Sequence, residues 1–268
     1  MREHQFGSSL STTRRLFDEA IPTSSIAESL VSFDDTCVGT VAAQFMRTRG
    51  FDVVGVRRSG LTVGYTAQSE VGNAALCDYL HAFEDGSCLP DRAPLLASFQ
   101  VLRQHDRVFV TYLGHVAGII TRGDLQKAPV RMWFFNLVSL LEIQMLRLIR
   151  QHYPGGEWRG RIKPGRVSQA ERLLADRQRR NEAIDLADCL EFCDKATILL
   201  RTADCWRLFG ESRAKAKRFL DDARLLRDDL AHAQDIVTSR WPKLVDLAQE
   251  LESALDRNEA AAEPSDFE

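Results

Sequence analysis

A histidine, an arginine and two carboxylates share one short stretch, Leu226-Arg227-Asp228-Asp229-Leu230-Ala231-His232. Histidine titrates near neutrality and can transfer a proton in either direction. Arginine stays charged and presents a planar fork to phosphate oxygens. Asp228 stands four residues before His232, a spacing that shares a helix face and lets a carboxylate orient the ring. Arg227 and His232 are five apart, so on a straight helix they point roughly 140° away from each other. Unless the chain kinks near Asp228-Asp229, two copies related by a twofold axis are needed to bring both groups onto one phosphate. Plainer roles exist for the same residues: Arg224 and Asp228 as an i, i+4 pair, Arg227 as a solvated charge, and His232 as a packed or capping ring.

A second constellation is Gly118-Ile119-Ile120-Thr121-Arg122-Gly123-Asp124. It sets a hydroxyl and a carboxylate three residues apart, behind a glycine that lets backbone be approached closely. The plainer role is structural, with Thr121 ending a strand and Asp124 capping or opening the next helix. Between Arg159 and Arg180 lie eight Lys or Arg and two acids. Of these, Arg159, Arg161, Lys163 and Arg166 are the candidates for sequence-independent phosphate contact, with Trp158 able to stack a base; otherwise the run is a solvated helix face. Arg213, Lys215, Lys217 and Arg218 read as such a face. Cys77, His81 and Cys88 lack the paired spacing and fourth ligand of a structural zinc site, and Cys189 with Cys193 reads as core. No metal site is expected.

These residues belong to a chain of 268, with 44% hydrophobic and 27% charged residues, a composition that excludes wholesale disorder. Lys and Arg total 35 against 38 Asp and Glu, a net charge of −3, so a nucleic-acid site has to be a local patch. The first twenty residues hold no apolar run of the signal-peptide kind. Met132 to Ile149 is long and apolar, but Asn136, Ser139, Glu142, Gln144 and Arg147 are costly at bilayer depth, and the stretch reads as a buried helix with no membrane partner. Six scattered cysteines without a CxxC pair read as reduced thiols of a cytoplasmic protein.

Before Arg131, a helical segment followed by two β-rich runs occurs twice, about fifty-five residues apart. The first unit is Val38 to Arg49 with Val53–Val56 and Leu61–Thr66; the second is Leu95 to Gln104 with Arg107–Tyr112 and Val116–Thr121. Neither has core enough alone, so the two should pack together. From Arg131 the pattern is helical. It predicts a helix over 132–151 buried nearly all round, a stop at Pro154-Gly155-Gly156, and a Ser168/Glu171 capping box opening the next helix. Further helices are predicted from about Ile184 to Leu200, from Glu211 to Leu226, and up to Glu252. Residues 258–268 read as a disordered acidic tail.

The ending HVAGIITRGDLQKAPVR resembles the closing half of a CBS domain, and SFDDTCVGTVAAQFMRTRGFDVVGVRRSGLTVGYT resembles its partner. The resemblance covers about residues 20–130 and implies a pseudo-twofold CBS pair that binds adenine nucleotide (AMP, ADP or ATP). It implies that Thr121 bonds the phosphate or ribose and that Asp124 holds the ribose hydroxyls, with Gly118 and Ile120 in the same site. The first unit, Gly64-Tyr65-Thr66-Ala67-Gln68-Ser69-Glu70, runs one residue out of step, so at most one good site is expected. Residues 226–232 resemble the Arg, Asn or Asp, three residues, His signature of HEPN domains, in a helical segment, 131–257, of the right length. That resemblance implies a metal-independent endoribonuclease, a homodimer with Arg227, Asp228 and His232 at a shared site, although many HEPN domains only bind RNA or proteins.

The expectation is therefore an α+β CBS pair of helix–strand–strand repeats (20–130) after an N-terminal segment (1–19), followed by an all-α bundle of HEPN type. Its function would be that of a nucleotide-regulated ribonuclease acting on RNA as a homodimer. The competing expectation is a non-catalytic nucleotide-sensing dimer whose helical half binds RNA or a protein, and a third is a bare dimeric scaffold.

Overall fold

A computed structural model describes residues 10–237 and 241–262. Helix α1 (Leu10–Ala20) leads into two short strands, β1 (Glu28–Ser29) and β2 (Ser32–Asp34). Helix α2 (Gly39–Arg49) follows, then the hairpin of β3 (Val53–Arg58) and β4 (Leu61–Ala67). The order then recurs as β5 (Cys88–Pro90), α3 (Leu95–Gln104), β6 (Arg107–Tyr112) and β7 (His115–Thr121). Strand β2 lies parallel to β3, which pairs antiparallel with β4; β5, β6 and β7 repeat that scheme. Parallel neighbours need a crossover, and α2 and α3 supply it. Strand β1 adds antiparallel to β7, giving one four-stranded and one three-stranded sheet.

Both hairpins turn through two left-handed residues, Ser59-Gly60 (φ 52° and 82°) and Leu113-Gly114 (φ 49° and 82°). That is the turn whose twist suits a two-residue hairpin loop. The repeat read from the sequence thus has one more element per unit than its pattern revealed. Strands β2 and β5 are three residues each, too short to show alternation. Ala42, Met46, Val54, Val56 and Leu76 form the core of the first unit. Tyr65 of the first hairpin and Phe109 of the second, ring centroids 4.9 Å apart, pack in a cluster with Phe83. The two halves are joined through these rings.

Of the described residues, 17–131 make one compact unit, and 10–16 together with 132–262 make the other. The N-terminal segment is therefore not set apart, because its residues 10–16 belong with the helices. The helical unit continues through α4 (Ala128–His152), α5 (Pro164–Gln178), α6 (Phe192–Arg201), α7 (Arg213–Ala231) and α8 (Lys243–Ala262). Helix α4 starts at Ala128, ahead of the predicted 132, because Pro129 falls in the first turn, where a missing N–H is harmless. By length and composition it could cross a membrane, and 61% of its most apolar window is buried. Trp133, Phe134, Leu137, Leu141, Met145 and Ile149 are inside, whereas Met132, Phe135 and Ile143 are more than half exposed. Burial on every side is thus corrected to burial on one broad face.

Other boundaries move for local reasons. Helix α5 opens at Pro164 behind Lys163, which places Ser168 and Glu171 in its interior and leaves no capping box there. The stretch from Ile184 to Leu200 is not one helix. Asp185 caps a short 3₁₀ turn, Leu186–Cys189, by accepting from Ala187 N (2.8 Å) and Asp188 N (3.1 Å), and α6 starts only after Glu191. Helix α7 runs past Leu226 to Ala231. Helix α8 reaches Ala262 and buries Asn258, so residues 258–262 are helical where a disordered tail was expected; 263–268 lie outside the described residues.

Candidate functional site

The hairpins of the α/β unit can be superposed pair by pair from their registers. Val56 faces Gly64 as Val110 faces Gly118, and Val53 faces Ala67 as Arg107 faces Thr121. Ala67 therefore stands in the first repeat where Thr121 stands in the second, and three residues further on Glu70 answers to Asp124. Thr66 answers to Ile120, and like it is fully buried, its hydroxyl lacking a hydrogen-bond partner. The one-residue offset read from the sequence is thus a physical exchange of a buried for an exposed threonine. Glu70 is bonded to His81 Nε2.

In the second repeat Thr121 is exposed at the end of β7 and faces Asp124 across a capping box. Asp124 Oδ2 accepts from Thr121 N at 2.7 Å and from Thr121 Oγ1 at 3.0 Å. Its other oxygen takes Lys127 Nζ at 2.8 Å. Lys127 also donates to Ile26 O at 2.7 Å and to the Glu28 carboxylate. Burial opposes the charge on Lys127, but the bonds to Asp124 and Glu28 and their charges outweigh it, holding the ammonium above its ordinary pKa. Gly118 is buried under tight neighbours, a Cβ there meeting Val110 Cβ at 3.2 Å and Glu28 O at 3.3 Å. Ile120 is core. Lys127 was missed in the sequence, although its i, i+3 spacing from Asp124 is the signal that finds it.

Between the hairpins is a cavity of about 90 Å³ lined by Tyr65, Glu84, His105 and Arg107. The Arg107 guanidinium lies 5.3 Å over the Tyr65 ring, with Nη1 buried and without a hydrogen-bond partner. This pairing was not legible in the sequence, because it joins strands of different repeats.

In the helical unit, Arg227 is exposed near the end of α7 and His232 is its exposed C-terminal cap residue. Lying outside the helix proper, His232 escapes the 140° argument made for a straight helix. The Asp228 carboxylate bonds Arg224 Nη1 at 2.9 Å, the i, i+4 pair, and it is the Asp228 carbonyl that accepts from His232 N at 3.1 Å. The orienting role expected of Asp228 is therefore not formed in a single chain, where the nearer guanidinium takes its oxygen. Arg227 Nε approaches Glu142 Oε2 at 3.7 Å. Glu142 in turn binds Lys195 Nζ at 2.8 Å, and the Lys195 side chain is only 7% exposed. A buried cation and an exposed one thus share a single carboxylate.

The basic run divides. Arg166 is used internally, with Nε and Nη2 on Asp194 at 2.8 and 2.7 Å and Nη2 also 2.7 Å from Glu191; these bonds raise its pKa, and the fork is not available to phosphate. Trp158 is buried at 3% exposure and cannot stack a base, which corrects that expectation. Arg159 lies 5.2 Å over the Trp158 ring and lines a cavity of about 440 Å³ with Arg150, Tyr153 and Asp185. Arg161 and Arg201 exchange bonds to each other's carbonyls, at 3.3 and 2.6 Å. Lys163 is exposed before α5. Burial, with Asp204 adding to it, pushes the Cys205 thiol up to about 11, so its 3.3 Å contact with His152 Nε2 joins a neutral thiol to the ring. Among the described residues, no group of three or more His, Cys, Asp or Glu side chains could hold a metal ion.

Neither a protein-family model nor a curated protein matches the chain. Among solved structures, the CBS-pair protein CBSX2 from Arabidopsis thaliana is 14% identical, with a TM-score of 0.37 over 42% of this chain and 96% of that one. The CBS domain of the bacterial CNNM/CorC family Mg2+ transporter in complex with ATP is 18% identical, with a TM-score of 0.34 over 44% of this chain and 93% of that one. Staphylococcus aureus OpuCA is 18% identical, with a TM-score of 0.33 over 37% and 91% of the two chains. At these identities and TM-scores, no ligand of those proteins is carried over, and the chemistry rests on the residues above.

Proposed function

We propose that the chain is a nucleotide-sensing regulator, in which residues 17–131 act as a CBS-type pair that takes AMP, ADP or ATP at the second hairpin and the helical unit serves as output. The observation that carries this reading is the asymmetry of two register-matched hairpins. Only the second presents an exposed threonine hydroxyl beside a carboxylate at its strand end. A carboxylate in that place suits vicinal ribose hydroxyls, and Thr121 suits a phosphate or ribose oxygen. The test is a thermal-shift panel with AMP, ADP and ATP, since a ligand binding only the folded state raises the melting temperature. A rise in the wild type that Asp124→Asn abolishes supports the reading; no rise with any of the three removes it.

A second reading concerns what the helical unit does. Arg227 and His232 are both exposed at one end of α7, in the order of the HEPN signature. In a cytoplasmic homodimer, two such ends would supply a proton-transfer group and a phosphate fork to RNA without metal. Arg159, Arg161 and Lys163 would add phosphate contacts, while Arg166 is committed to Asp194. The test is RNA cleavage with EDTA present by wild type, Arg227→Ala and His232→Ala. Loss in both variants supports an endoribonuclease. Equal activity in all three removes it, and RNA affinity without cleavage makes the helical unit a binding module.

A further inference from the structure

We propose that Lys127 is a displaceable latch on Asp124, a built-in cation that competes with the vicinal hydroxyls of the ligand for the same carboxylate. This inference rests on the nucleotide reading for the identity of the ligand, and on bond counting for the competition.

An ionised carboxylate offers about four lone-pair positions. Three on Asp124 are filled, by Thr121 N, Thr121 Oγ1 and Lys127 Nζ. One vicinal hydroxyl can be accepted without disturbance, but a pair cannot. Something must leave. The Thr121 N–H bond closes the capping box, and breaking it opens the turn after β7. Lys127 can yield at lower cost, because an ammonium has three donors and two of its bonds, to Ile26 O and Glu28, survive the exchange. Its side chain is 31% exposed, against 13% for Asp124, so solvent can take the vacated donor.

What the latch ties together gives it a consequence. Ile26 precedes β1, Glu28 lies in β1, and β1 pairs with β7 through Glu28 to Ile119 and Ser29 to Gly118. Lys127 is also the residue immediately before α4. A ligand that takes the Asp124 oxygen therefore frees the residue before α4 from the turn after β7, while its bonds to Ile26 O and to Glu28 of the edge strand remain. In the first repeat Asn73 falls at the corresponding place, so no such cation exists there.

The competition has a signed test by calorimetric titration of the full chain with adenosine and 2′-deoxyadenosine. Adenosine carries both hydroxyls without a phosphate; the deoxy form carries no vicinal pair. Lys127→Met should bind adenosine roughly five- to tenfold more tightly than wild type, the range expected when a charge-assisted competitor is removed. The deoxynucleoside should show little gain. Glu28→Gln should move adenosine binding the other way, because Lys127 then rests more fully on Asp124, and this variant carries the test if Lys127→Met fails to fold. Equal affinities in wild type and Lys127→Met, or an equal gain for both nucleosides, overturn the latch while leaving the nucleotide reading standing. Failure of every variant and the wild type to bind adenosine, AMP, ADP or ATP overturns both.

Discussion

The two hairpins of the α/β unit share a register, a bulge position and a turn, yet they treat one functional group in opposite ways. Thr66 is inside with an unpartnered hydroxyl, whereas Thr121 is outside and bonded to Asp124. Beside them, Gly64 and Gly118 occupy matching places under different loads. A Cβ at Gly64 would collide with the His81 carbonyl, whereas at Gly118 the nearest atoms are 3.2 to 3.4 Å away. One residue of offset is enough to turn an exposed threonine beside a carboxylate into a buried one without a partner. A repeated backbone scheme can thus carry different chemistry at its two strand ends, set by single side chains.

The largest expected effect on binding separates the acids. Asp124→Asn should weaken adenine-nucleotide binding at least tenfold, on the order of one charge-assisted hydrogen bond, while Glu70→Gln leaves it unchanged; isothermal titration measures both. Equal losses would mean two working sites and would end the asymmetry. Next, Gly64→Ala should cost about 3 kcal/mol of stability in urea unfolding and Gly118→Ala about 1 kcal/mol, because a Cβ overlaps the His81 carbonyl at the first and only presses on its neighbours at the second. The threonines should differ in sign. Thr66→Val is expected to stabilise by about 1 kcal/mol by removing a buried unpaired hydroxyl, and Thr121→Val to destabilise by about 1 kcal/mol by losing a cap.

The smallest effect concerns Lys127. Its folded pKa is raised above the ordinary 10.5, so the stability it adds is fully present below that value and is lost as pH rises through the folded value. The stability difference between wild type and Lys127→Met should therefore shrink above pH 10.5 and hold steady below it, as read from urea unfolding on either side of that value. A difference independent of pH would remove the ion pair from the second hairpin's account.

The hairpins and their helices were legible because alternation and turn residues are local signals. Val53 to Val56 and Arg107 to Tyr112 announce themselves. Strands β2 and β5 were not legible, since a three-residue strand such as Cys88–Pro90 is defined by its partner. The Thr121 to Asp124 motif could be read, but the hold of Lys127 on Asp124, Ile26 O and Glu28 is visible only in space. In the helical unit, Arg227 and His232 were visible as a pattern. That Asp228 serves Arg224 was one of the roles its i, i+4 spacing offered, whereas Arg166 on Asp194 and the cover over Trp158 follow from elements meeting across sequence distance. The break at Asp185 was hidden because a carboxylate caps as readily as it is solvated, and the start at Lys163 because no side chain caps α5.

The chain leaves the helical unit within α1, at residues 16 and 17, and returns to it within α4, at 131 and 132. Arg14 finds Asp256 across 242 positions, and Glu252 beside it. On a ribosome, the first piece of the bundle emerges long before its last. The inserted α/β unit, a single continuous stretch of chain, can fold during translation, whereas the bundle must wait for α8 to supply partners of Arg14. Contact order thus imposes a sequence of assembly in which the α/β unit is finished first and the helical bundle last.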